Sequence, residues 1–237
     1  LSSNQLVSKI KFLFSAKKVG HTGTLDPMAT GLLPICLGEA TKFSSYLLNA
    51  DKTYEALIRL GYKSSTGDME GEIIKQKIDK MPSLAEIKLI TYQFIGTIEQ
   101  LPPMYSALKY QGKPLYSYAR DGIDIPRPKR KIKIHTIELL DYEEDKLRLR
   151  IKCSKGTYIR TLAEDIGAQL NVGGYLIGLR RTTIGNFSIE NGLNIEKIEK
   201  TKDTERSSLL LLPEELLSEY EKIILNSTEE KAIKDGK

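Results

Sequence analysis

The chain has 237 residues, of which 40% are hydrophobic and 28% charged, and a net charge of +5. That profile excludes a disordered, collagenous or disulfide-stapled chain. Its two cysteines, Cys36 and Cys153, and two histidines, His21 and His135, form no CxxC or HxxxH spacing, so neither a metal nor a disulfide framework is expected. The longest aliphatic run, Leu209 to Leu212, falls far short of the ~20 residues of a membrane helix. No secretory leader opens the chain. The expectation is a cytoplasmic protein with no membrane partner, read from a sequence whose first residue, Leu1, is not the initiator.

In chain order, apolar residues at helical spacing (Leu6, Val7, Ile10, Leu13, Phe14) predict a helix over 4–14 capped by Ser2 or Ser3. A Gly/Thr-rich loop follows from Gly20 to Gly31, then an apolar segment to Leu37 and a predicted helix from Glu39 to Leu48. Thr53 to Leu60 reads as a strand with Tyr54, Ala56, Ile58 and Leu60 on one face. Gly61 to Gly71 reads as a turn or mobile loop. Ser83 and Glu86 form a capping box that opens a helix to Phe94. Lys131–Leu139 and Leu147–Cys153 alternate as half-buried antiparallel strands. A helix follows from Tyr158 to Leu170, then a short element at Leu176–Arg181. From Thr201 the chain is acidic, Leu-rich and helical in pattern. Strands interrupted by helices, without regular βαβ units, give the class α+β, with a central mostly antiparallel sheet flanked by helices.

Charge is concentrated between Pro103 and Lys133. Eight Lys/Arg, among them Lys109, Lys129, Arg130 and Lys131, face only Asp121 and Asp124, and four tyrosines are interleaved. Cations that neutralise phosphates beside rings that stack on bases suit RNA; a solvated hairpin with core tyrosines is the plainer alternative. Asp26 is the sole carboxylate in the first 38 residues, within a loop of three glycines and near four lysines. Such a carboxylate suits a nucleophile or general base, whereas Asp-Pro equally begins a turn or caps a helix. No GxxxxGK[ST], GxGxxG or GxSxG string is present, which sets aside a nucleotide-binding loop and a serine hydrolase.

Five ordered strings carry a specific likeness. Gly20-His-Thr-Gly-Thr-Leu-Asp-Pro-Met-Ala-Thr-Gly-Leu-Leu-Pro34 resembles the catalytic motif of the TruB family of pseudouridine synthases. Lys52-Thr-Tyr-Glu-Ala56, Pro103-Met-Tyr-Ser-Ala-Leu-Lys-Tyr110, Lys155-Gly-Thr-Tyr-Ile-Arg-Thr161 and Leu179-Arg-Arg181 follow in the same order. The resemblance spans roughly residues 4–215. It implies the pseudouridine-synthase fold and isomerisation of uridine to pseudouridine at position 55, in the T-arm of tRNA, without metal or organic cofactor. It also implies roles for matching residues. Asp26 corresponds to the nucleophile, Tyr54 to the tyrosine that stacks on the target base and accepts the C5 proton, and Arg160 to the arginine paired with the aspartate. Tyr158 and Leu179 correspond to pocket walls, and His21 to the histidine against a flipped base.

The basic segment 103–133, with Lys109, Lys129, Arg130 and Lys131, resembles the RNA-binding insertion of the bacterial tRNA enzymes. Guide-RNA relatives lack it in this form, so a monomer needing no protein partner is expected. Residues 1–205 are expected to form the catalytic domain, and 206–237 the start of an incomplete, PUA-like RNA-binding module. The Lys-Pro strand that usually opens the family is not present ahead of Leu1, so reduced RNA affinity is expected. A binding module that grips the T-arm without chemistry is the competing reading, disfavoured by intact Asp26, Tyr54 and Arg160.

Overall fold

In the computed structural model, which describes residues 1–217 and 220–236, helix α1 (Ser3–Leu13) opens on a capping box. The Ser2 hydroxyl accepts from the Gln5 N–H, and the Gln5 side chain accepts from the Ser2 N–H. Two N–H groups that a helix start leaves without partners are thereby satisfied. The glycine-rich loop then runs through β1 (Val19–His21), β2 (Thr30–Gly31) and β3 (Ile35–Leu37). The helix predicted from Glu39 to Leu48 is divided: a 3-10 stretch, Gly38–Phe43, precedes α2 (Ser44–Asn49). Thr41 and Ser44 hydroxyls donate to carbonyls three residues back, which tightens this turn.

Strand β4 (Lys52–Leu60) buries Ala56, Ile58 and Leu60, as alternation predicts. The polar stretch after it, read as a turn or mobile loop, holds turns over 65–71 between two short strands. Strand β5 (Tyr62–Ser64) pairs with β6 (Ile73–Lys75), and Asp68 forms a β-bridge to Leu176. The reason is self-satisfaction: Ser64 Oγ donates to the Asp68 carbonyl, while Thr66 Oγ1 and the Glu70 N–H both donate to Asp68 Oδ1. A polar segment that pairs its own donors and acceptors can be buried. Helix α3 (Leu84–Gln93) starts at the predicted Ser83–Glu86 box.

Strand β7 (Gly96–Gln100) leads to the insertion, which holds β8 (Lys109–Tyr110), β9 (Lys113–Pro114) and α4 (Leu115–Arg120). Then come β10 (Arg130–Glu143), β11 (Lys146–Cys153), α5 (Ile159–Gln169), β12 (Gly174–Ile184), β13 (Phe187–Ser188), α6 (Ile195–Lys200) and α7 (Ser227–Lys234). The short element expected at Leu176–Arg181 is thus an eleven-residue strand.

Among the described residues the main sheet runs β13-β12-β4-β11-β10-β7 with every neighbour antiparallel, and β2 pairs in parallel with β12. The α+β class and antiparallel sheet read from the sequence are what the chain forms. One sheet face packs on α3 and α5 through Ile58, Leu149, Ile151, Leu162, Ile166 and Ile87, all 0% exposed. The other face carries an ionic ladder in which Glu55 accepts from Arg148 and Arg150, and Glu138 accepts from Arg150. Gly167 of α5 lies against Gly173 and Gly174; a Cβ there would sit 2.2 Å from the Gly174 nitrogen, so this helix approaches β12 closely.

The helical pattern expected from Thr201 onward gives way to 3-10 turns at Arg206–Leu209 and Pro213–Leu217 and non-helical chain over 220–226, and among the described residues after 201 only α7 is α-helical. The leucines here do not repeat at helical spacing against a core: Leu211 and Leu212 are exposed. Residues 218, 219 and 237 of the expected 206–237 module lie outside the described residues.

Candidate active site

The loop carrying Asp26 is fastened at both ends. Strands β1 and β3 pair Val19 with Leu37 and His21 with Ile35, and the Leu25 N–H donates to the Ser3 hydroxyl at 3.1 Å. Ala29 N–H donates to the Asp26 carbonyl at 2.9 Å, so Asp26 does begin a turn, as Asp-Pro allows. Its side chain goes elsewhere. Asp26 Oδ2 and Oδ1 accept from Arg160 Nε (3.0 Å) and Nη2 (3.2 Å). This is the two-point geometry that a planar guanidinium offers a carboxylate.

Arg160 stands in the first turn of α5 and is 4% exposed. The helix start is set by Gln100, whose side chain donates to the Tyr158 carbonyl and accepts from the Tyr158 N–H. Besides Asp26, Arg160 donates to the carbonyls of Thr66 (3.2 Å) and Tyr105 (2.6 Å) and lies 3.4 Å from Asp68 Oδ2. Asp68 is 3% exposed, while the Asp26 side chain retains 33%. One carboxylate is therefore a buried brace for the arginine, and the other is open to a ligand.

Glu164 lies one turn further along α5, against Gly67 and behind Arg160. Burial first, and the Asp165 charge second, push its carboxyl up to about 7. Tyr54, partly buried on β4, stands opposite Arg181 in the β4–β12 register. Burial pushes the Tyr54 hydroxyl up, Arg181 pulls it back, and the Asp26 charge acts on it. Tyr158 is pushed up by burial and lies within the fields of Arg130, Arg160 and Asp26.

The fold thus gathers Asp26, Tyr54, Tyr158 and Arg160. Leu179 is buried opposite Ala56, in the cluster that Tyr54 and Met28 pack against. His21 Nδ1 accepts from the Gly23 N–H at 3.2 Å, and burial, followed by the Arg181 charge, lowers its pKa. Lys109, Lys129, Arg130 and Lys131 are exposed and lie outside this constellation, Arg130 reaching it only through its field on Tyr158.

Three further residues belong to the site. Asp68 and Glu164 come from a segment and a helix whose pattern alone does not mark them. Arg181 has a legible signal: it lies two residues after Leu179 and shares its inward strand face, where a lone cation requires partners. Among the described residues no cluster of His, Cys, Asp or Glu is disposed to hold a metal ion.

Comparison with known proteins agrees with this architecture. Residues 11–159 match the model of the TruB family pseudouridylate synthase N-terminal domain. Residues 160–223 match that of the tRNA pseudouridylate synthase B C-terminal domain. The chain is 48% identical over 227 residues to tRNA pseudouridine synthase B of Methylobacillus flagellatus, covering 96% of this chain and 75% of that protein. It is 52% identical over 219 residues to its counterpart in Cupriavidus metallidurans, covering 92% and 69%. Among solved structures, a Cbf5-Nop10-Gar1 complex gives a TM-score of 0.66 at 31% identity, over 84% of this chain and 50% of that one. An archaeal box H/ACA Nop10-Cbf5 complex gives 0.67 at 25%, over 92% and 58%. The chain spans between half and three-fifths of the length of these two solved chains.

Proposed function

This chain belongs to the TruB family of pseudouridylate synthases, and we propose that it isomerises uridine 55 in the T-arm of tRNA with Asp26 as the nucleophile. The observation that carries the reading is the Asp26–Arg160 pair: a partly open carboxylate gripped at two points by an otherwise buried arginine. The reaction breaks the C1′–N1 bond, turns the base and joins C1′ to C5. A base inside a stack cannot turn, so it must be flipped out and held. Tyr54 supplies the stacking face and the acceptor for the C5 proton. Tyr158 and Leu179 wall the pocket, and His21 packs against a displaced base. Lys109, Lys129, Arg130 and Lys131 neutralise phosphates from the insertion.

Residues 1–205 act as the catalytic domain, and 206–237 contribute to RNA binding as part of a PUA-like module. The enzyme works as a cytoplasmic monomer on tRNA alone. No helix among the described residues is long and apolar enough to cross a membrane.

Asp26→Asn keeps size and turn propensity and removes the nucleophile. Single-turnover pseudouridine formation on T-arm RNA is expected to vanish, while filter binding persists or tightens slightly with one negative charge gone. Turnover within about tenfold of wild type, only ~1.4 kcal/mol of barrier, would reduce Asp26 to a turn residue.

A further inference from the structure

Among the described residues Arg181 is the largest fully buried side chain, at 1% exposure, and no carboxylate among them pairs with it. Its Nε donates to the Leu32 carbonyl at 2.8 Å and its Nη2 to the Gly23 carbonyl at 3.0 Å. Gly23 and Leu32 flank Asp26 on either side in the loop. Its own carbonyl accepts from the Leu32 N–H at 2.8 Å. In the β4–β12 register Arg181 stands directly opposite Tyr54, and its charge acts on that hydroxyl. A buried cation whose side-chain hydrogen bonds go to two neutral carbonyls keeps its positive charge for the site.

From this placement we infer that Arg181 is the positioning residue that fits Tyr54 to take the C5 proton, by donating to the phenol oxygen and stabilising the phenolate. The inference rests on the role proposed above for Tyr54. Over one turnover the C5–H bond breaks, its electron pair restores the C5–C6 double bond, and the proton goes to the Tyr54 oxygen. N1, freed from C1′, takes the proton that the Tyr54 hydroxyl gives up, and the phenolate so formed accepts the proton from C5, so Tyr54 begins and ends as a phenol and passes through phenolate between. A tyrosine whose hydroxyl burial has pushed up forms that phenolate poorly without help. The charges around the pair are few. Asp26 and Cys153 act on Tyr54 in the direction opposite to Arg181, and His21 and Lys52 are the other titratable groups within the arginine's field. Because the residue bonded to the loop is also the cross-strand partner of Tyr54, Asp26 and Tyr54 are kept in one frame.

The test is a double-mutant cycle in single-turnover pseudouridine formation, using Arg181→Lys, Tyr54→Phe and the double variant. Arg181→Lys is expected to slow turnover by about tenfold or more (~1.4 kcal/mol), and to cost under about threefold (~0.7 kcal/mol) in the Tyr54→Phe background. Equal losses in both backgrounds would make Arg181 a purely structural anchor and overturn the inference. If Tyr54→Phe itself runs at the wild-type rate, the role of Tyr54 falls and this inference with it, a result distinct from additivity. Since Arg181→Lys can also unfasten the loop, a second measurement leaves Arg181 in place. Difluorotyrosine at position 54, a more acidic phenol of nearly the same size, is expected to change the rate about threefold or more (~0.7 kcal/mol), and an unchanged rate would overturn the phenolate step.

Discussion

Arg160 meets four acceptors at once: two carboxylates, Asp26 and Asp68, and two carbonyls, Thr66 and Tyr105. Only a forked guanidinium can do this, because an ammonium is a point charge with no fixed plane. Arg160→Lys should therefore lower single-turnover rate by about a hundredfold or more, ~2.7 kcal/mol, with tRNA binding nearly unchanged; a tenfold or smaller loss would mean that charge alone suffices. Glu164 gives a second residue-scale test, through stability. Its carboxyl is held at about 7, above the ordinary 4.5. The folded state thus holds a proton that the unfolded state has released between those values, and stability falls as pH rises through that window. Glu164→Gln removes the titration. Its Tm should match wild type near pH 5 and exceed it by a few °C at pH 8, about 1 kcal/mol after allowance for partial solvent exposure. Equal melting differences at both pH values would show that Glu164 does not carry the shifted proton. Asp26, Tyr54 and Arg160 were legible because short motifs with defined spacing name them. Asp68 and Glu164 were not, since their importance arises only when β5, its following loop and α5 meet around Arg160.

Elements with regular periodicity were legible nearly to their ends. Strands β4 and β11 and helices α1, α3 and α5 each bury one face at a period of 2.0 or 3.6 and carry a cap or turn that stops them. The segments read incompletely are those whose structure depends on distant partners. The chain around Asp68 is ordered by its own hydroxyls and by β12, and Leu211 and Leu212 stay exposed rather than forming a helical stripe. The Asp26 loop, read as a loop, also depends on distant partners, for it is sewn to β12 rather than folded locally. Arg180 and Arg181 pair in parallel with Thr30 and Gly31, at a glycine with φ +109° whose Cβ would stand 2.2 Å from the Arg181 carbonyl oxygen. Gly31→Ala must break that seam. It should cost about 2–4 kcal/mol, a Tm loss of roughly 5–15 °C, and should slow turnover by displacing Asp26. Gly20→Ala is the control, since a Cβ there meets nothing within 4 Å, and it should melt like wild type. Equal melting of the two variants would show that the β2–β12 seam does not hold the loop.

At the scale of the whole molecule the charge is divided by function. The ionic ladder of Glu55, Arg148, Arg150 and Glu138 neutralises itself on the open sheet face, and contributes little to stability at the surface. The insertion is different: eight Lys/Arg stand against two aspartates between Pro103 and Lys133, and two of those basic groups, Lys113 and Arg127, pair with the aspartates. Lys129, Arg130 and Lys131 are exposed and close together where the insertion enters β10. Their charge is available to a polyanion. Each phosphate that a cation neutralises releases counterions, so log affinity falls with log salt by about 0.7 to 0.9 for every such contact. Replacing all three with Gln should therefore lower that slope by about 2 to 3 for tRNA and weaken binding most at low salt. Melting should stay within about 1 kcal/mol of wild type, because no buried partner is lost. Single-turnover rate at saturating RNA should also hold, since Asp26, Arg160 and Tyr54 lie apart from these side chains. Filter binding across a salt series measures the slope directly. An unchanged slope would take the three residues out of the RNA interface, and a lost rate at saturation would mean that the insertion aligns the target base as well as gripping the backbone.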